Sequence, residues 1–249
     1  MDEIRLETIQ TNVVSAYRKA QQDFLKKSNN KRLNTWHVSD FVSECIRKSY
    51  YSKLHPEKFS PEKQSLFWFG HIVHEHTPLS KINELTMCYD IEKDKALTPD
   101  EVLEMPLDDL GTIITGTLDD LMKIGDKFVI ADKKTYSGSS YYKKTNPDYS
   151  YDLQVNIYRV LLKETYGIDA EFGCLLYLDK MNNLDPTPIA FELKPIDETK
   201  EKMRYILSEL RKGQTPEPNV CWLCNGKNKK GQIYCSYVDL CKQDGGRTE

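Results

Sequence analysis

A strand–turn–strand pattern in the middle of the chain constrains the fold more than any other feature. The residue types from Thr112 to Met122 predict a β-strand, Gly125-Asp126 is typical of a tight turn, and Lys127 to Lys134 predict the returning strand. Because strand side chains alternate between the two faces of a sheet, Asp132 and Lys134 fall on the same face. The centre of the chain therefore predicts a β-hairpin that carries an acid and a lysine side by side.

Helical patterns surround this hairpin. Before the hairpin, the sequence predicts a helix within the first 28 residues, a helix from the N-cap Ser39 through Ile46, and a helix from near Pro61. After the hairpin, it predicts a helix from Tyr149 to Tyr166 ended by Gly167, strands at Ala170 to Leu178 and Thr187 to Leu193, and a helix from Asp197 to Lys212. This order predicts an α/β fold with a mixed sheet flanked by helices.

Length and composition favour one domain. The 249 residues, 39% of them hydrophobic, suffice for a sizeable core. We expect a single domain over 1–249, with a helical N-terminal part at 1–85, a core at 86–213 and a cysteine-rich tail at 214–249. No apolar run approaches the length of a membrane span, and the N-terminus lacks the features of a signal peptide. We therefore expect a cytoplasmic protein without membrane contact.

Two aspartates on the predicted hairpin point to hydrolysis of a phosphodiester. Asp119 and Asp132 lie on neighbouring predicted strands, so their side chains can converge on a divalent ion such as Mg²⁺ or Mn²⁺. The carbonyl group of Lys133 could reach the same ion, and the ammonium group of Lys134 could orient the attacking water or stabilise charge on the phosphate. Taken singly, each fragment also fits a plain turn or a charged strand end.

Four short elements in order resemble the RecB-like branch of the PD-(D/E)XK nucleases. Gly70 to His74 resembles that branch's G-x-x-x-H element, Gly116-x-x-Asp119 and Asp132-x-Lys134 resemble its catalytic core, and Gln154 to Tyr158 resembles its Q-x-x-x-Y element. The resemblance implies a PD-(D/E)XK restriction-endonuclease-like core. It also implies that His74 joins the aspartates at the metal, and that Gln154 and Tyr158 place the DNA and the catalytic lysine. Four residues apart on one helix, these two side chains share a face.

The cysteines allow two metal sites. Of the seven cysteines, Cys221, Cys224, Cys235 and Cys241 cluster late with the spacing C-x2-C-x10-C-x5-C, and as a set they could bind structural zinc. Alternatively, Cys45 could join three of them around an iron–sulfur cluster. Cys88 and Cys174, in strand-like apolar surroundings, are predicted to be core residues.

The second arrangement resembles the iron–sulfur subset of RecB-like nucleases, which includes the CRISPR-associated Cas-four proteins and AddB-type nuclease domains. Cys45-Ile46-Arg47 resembles the subset's C-x-R element, and Cys235 to Cys241 resembles its closing C-x-Y-x-x-x-C. The resemblance implies a [4Fe-4S] cluster on Cys45, Cys224, Cys235 and Cys241, with Cys221 as the alternate to Cys224. Such a cluster would hold the two ends of the chain together.

The implied activity is metal-dependent exonuclease cleavage of single-stranded DNA, with CRISPR adaptation or recombination proteins as partners. The net charge of −3 argues against coating nucleic acid by bulk charge but permits a local basic groove. Tyrosines among lysines between Tyr136 and Tyr151 suit stacking on single-stranded bases. The alternative function is a non-catalytic DNA-binding or adaptor subunit with a structural iron–sulfur or zinc site.

Overall fold

The computed structural model describes residues 14–16, 19, 35–57, 61–136, 146–219, 222–227, 231 and 233–245. The chain divides into two compact units, of which one comprises Met1–Leu33 and Lys58–Thr77 and the other comprises Asn34–Glu57 and Pro78–Glu249. Helices α1 and α2 of the second unit span Val38–Phe41 and Ile46–Leu54, and helix α3 of the first unit spans Pro61–His76. Helix α3 begins at Pro61 as predicted.

One mixed sheet of seven strands forms the centre of the second unit, within the residues described. Its strands are β1 Trp36–His37, β2 Ile82–Asp90, β3 Lys95–Leu97, β4 Ile113–Ile124, β5 Lys127–Tyr136, β6 Ala170–Asp179 and β7 Asp185–Glu192. They lie in the order β3-β2-β4-β5-β6-β7, with β1 parallel to the start of β4. Only β5 and β6 are parallel within that path, and the other neighbours are antiparallel.

Helices flank the sheet, and this confirms the predicted α/β architecture. The later helices are α4 Pro99–Glu104, α5 Tyr149–Tyr166, α6 Ile196–Arg211, α7 Trp222–Asn225 and α8 Val238–Gln243. Helix α5 packs on the sheet through side chains that are fully buried, among them Val155, Ile157 and Leu161. It ends at Gly167, which adopts the left-handed conformation that glycine tolerates. Within the described part of the chain, no helix has both the length and the apolar character that crossing a bilayer requires.

The central hairpin forms as the sequence predicts. Gly125, with a φ of 65°, makes the turn between β4 and β5. Asp120 lies opposite Ala131 in the register of the two strands. Consequently Asp120 and Lys133 share one face of the hairpin, whereas Asp119, Asp132 and Lys134 share the other.

One predicted helix is divided in the structure, and strand β2 is absent from the prediction. The helix predicted from Ser39 through Ile46 is two helices, because His37 rather than Ser39 caps the first and the chain leaves helical geometry before Cys45, which precedes the second. Strand β2 was not predicted, since its first half is exposed and its last four residues are all buried, so it lacks a regular alternation. The first predicted helix lies outside the described residues except for residues 14–16 and 19, which are helical.

Candidate active site and cysteine-lined cavity

The two predicted acids meet on one face of the β4–β5 hairpin. Asp119 and Asp132 are both buried. The Oδ2 atom of Asp119 accepts a hydrogen bond of 2.7 Å from the backbone N–H of Lys133. That bond fixes the Asp119 carboxylate against β5 next to Asp132, so both acids are positioned by the ladder of the hairpin itself.

A chain of polar contacts leads from Asp132 to helix α5. The Lys134 ammonium lies 2.6 Å from Oδ2 of Asp132 and donates to Oε1 of Gln154 at 3.1 Å. The Nε2 group of Gln154 in turn donates to the hydroxyl oxygen of Tyr158 at 3.0 Å. The structure therefore brings together four residues that the sequence singled out.

The electrostatics of this chain raise the pKa of Lys134. Burial lowers the pKa of Lys134, but the negative charge of Asp132 and the hydrogen bond to it raise that pKa further, so the net shift is upward. The Lys134 ammonium also lies 4.8 Å from the ring centroid of Tyr151. The pKa of Tyr158 is raised, first by burial and then by the negative charge of Asp132. The ion pair with Asp132 therefore favours the charged form of Lys134.

Two helices approach strand β4 so closely at Gly116 that only a glycine fits there. A Cβ atom at this position would lie 2.6 Å from Cγ2 of Val38 and 3.0 Å from Cε1 of Tyr158. Both distances are too short for a normal contact, so a side chain here would push helices α1 and α5 away from β4. The absence of a side chain lets the Tyr158 ring lie against the strand that carries Asp119.

The opposite face of the hairpin carries a structural ion pair. The Lys133 ammonium lies 2.9 Å from Oδ2 of Asp120, and both side chains are fully buried. Asp120 also accepts hydrogen bonds from the backbone N–H groups of Leu79 and Ser80. The side chain of Lys133 therefore does not serve the site. The predicted role of its carbonyl group stays a prediction.

One acid of this region was missed by sequence reasoning. Glu84 lies on β2 between Asn83, which is opposite Asp120, and Leu85, which is opposite Leu118. A carboxylate oxygen of Glu84 and one of Asp119 lie within 4.8 Å of each other. No short motif marks Glu84, and only recognition of β2 together with its register could have revealed it.

The sequence also singled out His74 and several tyrosines. His74 lies on α3 in the other unit, and its role as a metal ligand stays a prediction. Tyr136 is buried, so it cannot stack on DNA as predicted. Tyr149 is exposed at the start of α5, whereas the Tyr151 ring lies beside Lys134. The tyrosines at 141 and 142 lie outside the described residues.

Four cysteines line one small cavity. The residues around it are Cys45, Arg47, Lys48, Tyr51, Cys224, Cys235, Tyr237, Val238 and Cys241. Burial raises the pKa of the Cys235 thiol, and the neighbouring Cys224 and Cys45 contribute in the same direction. Cys221 lies outside the described residues. Cys88 is buried, as predicted for a core residue, and Cys174 is half-buried.

Side-chain contacts join α2 to the C-terminal tail around this cavity. Arg47 is buried, and its Nε group donates to the carbonyl oxygen of Pro216 at 2.6 Å. Its NH1 group lies 3.6 Å from the sulfur of Cys241. The hydroxyl of Tyr51 donates to Asp244 at 2.6 Å, and that of Tyr237 donates to the carbonyl oxygen of His55 at 3.0 Å. Protein contacts thus already hold Cys45 and the late cysteines in one place.

Known proteins show similarity to this chain in sequence and in fold. The sequence profile of the PD-(D/E)XK nuclease superfamily matches residues 83–242. The crystal structure of SSO0001 is similar in fold, with a TM-score of 0.57, 18% identity, and coverage of 93% of this chain and 97% of that one. An alkaline exonuclease from Laribacter hongkongensis has a TM-score of 0.37 and 11% identity, over 72% of this chain and 89% of that one. No curated protein matches the sequence.

Proposed function

The chain belongs to the PD-(D/E)XK nuclease superfamily, and from that premise we propose that it is a metal-dependent exonuclease acting on single-stranded DNA. The observation that carries the proposal is the contact chain from Asp132 through Lys134 and Gln154 to Tyr158, beside Asp119. A half-buried lysine held between an aspartate and a glutamine is not required for a stable hairpin. The preference for single strands and the exonuclease mode are what the RecB-like resemblance implies.

The donor set fits the divalent ion that PD-(D/E)XK nucleases use. Asp119 and Asp132 offer hard carboxylate oxygens, which suit Mg²⁺ or Mn²⁺. His74 and the carbonyl group of Lys133 are proposed as further ligands. When bound, such an ion polarises the scissile phosphate and lowers the pKa of water.

The chain's own residues would then arrange the reaction. Asp132 holds the Lys134 ammonium at 2.6 Å, and Gln154 fixes the direction in which that ammonium points. A fixed cation next to the phosphate stabilises the negative charge that develops as water attacks. Tyr158 anchors Gln154 and, being buried against Gly116, ties helix α5 to the strand of Asp119.

The proposal is tested by digestion of a single-stranded oligonucleotide labelled at either end, with Mn²⁺ or Mg²⁺. We expect products that shorten progressively from one end and a loss of at least about 100-fold in rate for Asp132→Asn, which removes a carboxylate charge without changing the side chain's size. The exposed Asp185, at the start of β7, supplies the control Asp185→Asn, which should cleave normally. DNA binding without cleavage under every divalent ion would favour the adaptor function instead.

We further propose that Cys45, Cys224, Cys235 and Cys241 bind a [4Fe-4S] cluster, as in the Cas-four proteins that the chain resembles. Their shared cavity supports this, because soft thiolates grouped in one place suit an iron–sulfur cluster. The cluster's role would be structural, since it would join residues on either side of the nuclease core. Partners from CRISPR adaptation or recombination, and a cytoplasmic location that keeps thiols reduced, belong to the same proposal.

Anaerobic purification tests the cluster. We expect a brown protein with iron and sulfide in equal amounts, and we expect Cys45→Ser to lose most of the iron while Cys88→Ser keeps it. Cys88 is the matched control because it is buried in β2 and does not line the cavity. A colourless protein with stoichiometric zinc would overturn the cluster and leave the nuclease proposal standing. The same measurement on Cys221→Ser and Cys224→Ser separates the two candidate ligands.

A further inference from the structure

We propose that Glu84 is an additional oxygen ligand of the catalytic divalent ion, bound on the β2 side of Asp119. This inference rests on the proposed function, because it concerns the same ion. Sequence motifs give no hint of it, since Glu84 belongs to none of the four elements that resemble RecB-like nucleases.

The position of Glu84 in the sheet supports this role. Strand β4, which carries Asp119, lies between β2 and β5. The pairs on either side, Asn83 with Asp120 and Leu85 with Leu118, leave Glu84 facing Asp119. Asp119 is therefore flanked by Asp132 on one neighbouring strand and by Glu84 on the other. Three strands in a row each contribute one carboxylate at the same level of the sheet.

The separation of the two carboxylates supports it as well. Ligand atoms of Glu84 and Asp119 lie within 4.8 Å of each other. Two oxygens bound to one Mg²⁺ or Mn²⁺ ion, each about 2.1 Å from it, lie about 3 to 4 Å apart. A small rotation of the exposed Glu84 side chain would bring its oxygen into that range.

The backbone at Glu84 is unusual for a strand. Its φ is 48°, in the left-handed region that residues other than glycine rarely adopt. Backbone geometry of this kind costs free energy and is retained mainly where it serves a purpose. Here it interrupts regular pairing at the one residue of β2 that faces Asp119.

A glutamine substitution separates ligation from a structural role, because only ligation predicts a weaker response of the protein to added metal. If Glu84 binds the ion, the rise in melting temperature that added Mn²⁺ gives the wild-type protein should be smaller in Glu84→Gln, because ligand binding stabilises a protein in proportion to its affinity. The same variant should bind Mn²⁺ at least about tenfold more weakly in calorimetry, because a charged oxygen ligand has been lost. Neither readout depends on cleavage.

Two further variants sharpen the measurement. Glu192→Gln, at an exposed strand glutamate on β7, should change neither Mn²⁺ affinity nor melting temperature appreciably. Glu84→Gly removes the carboxylate and suits the left-handed backbone, so it should weaken Mn²⁺ binding without destabilising the metal-free protein. Loss of metal-free stability in both Glu84 variants, together with unchanged Mn²⁺ affinity, would show a structural role and overturn the inference.

The failure of this inference can be told from failure of the proposed function. Wild-type affinity in Glu84→Gln, together with loss of Mn²⁺ binding in Asp132→Asn, would overturn the role of Glu84 and keep the metal site. No Mn²⁺ binding by the wild-type protein would overturn both. Weak binding by both variants, with Glu192→Gln unchanged, is the result expected.

Discussion

Replacing Lys134 with methionine is expected to lower the rate of DNA cleavage by about 10²–10³-fold, the loss typical of removing one charge-stabilising donor from an active site. The Lys134 ammonium is held by Asp132 at 2.6 Å and by Gln154 at 3.1 Å, so it is fixed before substrate arrives. Methionine has a similar length and no charge, and it cannot replace this cation. The measurement is the single-turnover rate with saturating Mn²⁺, with circular dichroism to verify folding.

The matched control for this experiment lies on the same strand. Lys127, at the start of β5, forms an ion pair of 2.8 Å with Glu171, but both side chains are about half exposed. Exposed pairs of this kind contribute little to stability. Lys127→Met should therefore cleave at the wild-type rate. A Lys134→Met protein that also cleaves at the wild-type rate would remove Lys134 from the proposed mechanism.

The parts of the fold that sequence predicts well are those with strong local signals. Strands β4 and β5 are joined by a glycine turn, and helix α5 has a continuous apolar stripe ended by Gly167, so each could be recognised without knowledge of the rest. Asp119, Asp132, Lys134, Gln154 and Tyr158 all lie on these three elements. Their convergence follows once the hairpin and the helix are placed beside each other.

The parts that sequence misses depend on distant neighbours. Strand β2 is defined by pairing with β4, some thirty residues later in the chain, and its exposed first half carries no period of its own. Glu84 could not be connected with Asp119 before that pairing was known. The contact of Arg47 could not be predicted either. The partner of its buried guanidinium is the carbonyl oxygen of Pro216, and no local sequence pattern predicts a contact between residues so far apart in the chain.

Substitution of the neighbouring residue, Lys133, is expected to lower the stability of the protein. Lys133→Met should lower the free energy of unfolding by about 3–5 kcal/mol, because it leaves a buried aspartate without its counter-charge. The Lys133 ammonium lies 2.9 Å from Asp120, and neither side chain is exposed to solvent. Asp120 cannot move outward to find water, since the backbone N–H groups of Leu79 and Ser80 also bind it at 2.7 and 3.0 Å. Urea unfolding of both proteins measures the difference.

A second substitution tests whether the uncompensated charge is the cause. Asp120→Asn keeps an oxygen that can accept the two backbone N–H groups but removes the charge, so the double variant with Lys133→Met should recover much of the lost stability.

The folded fraction of Lys133→Met should still cleave DNA, because the Lys133 side chain points to the face opposite Lys134 and its backbone N–H still binds Asp119. Unfolding of Lys133→Met at the wild-type urea concentration would show that the buried pair contributes nothing. Two adjacent lysines on one strand thus contact different acids: Lys134 pairs with Asp132 of the proposed site, and Lys133 pairs with Asp120 on the opposite face of the hairpin.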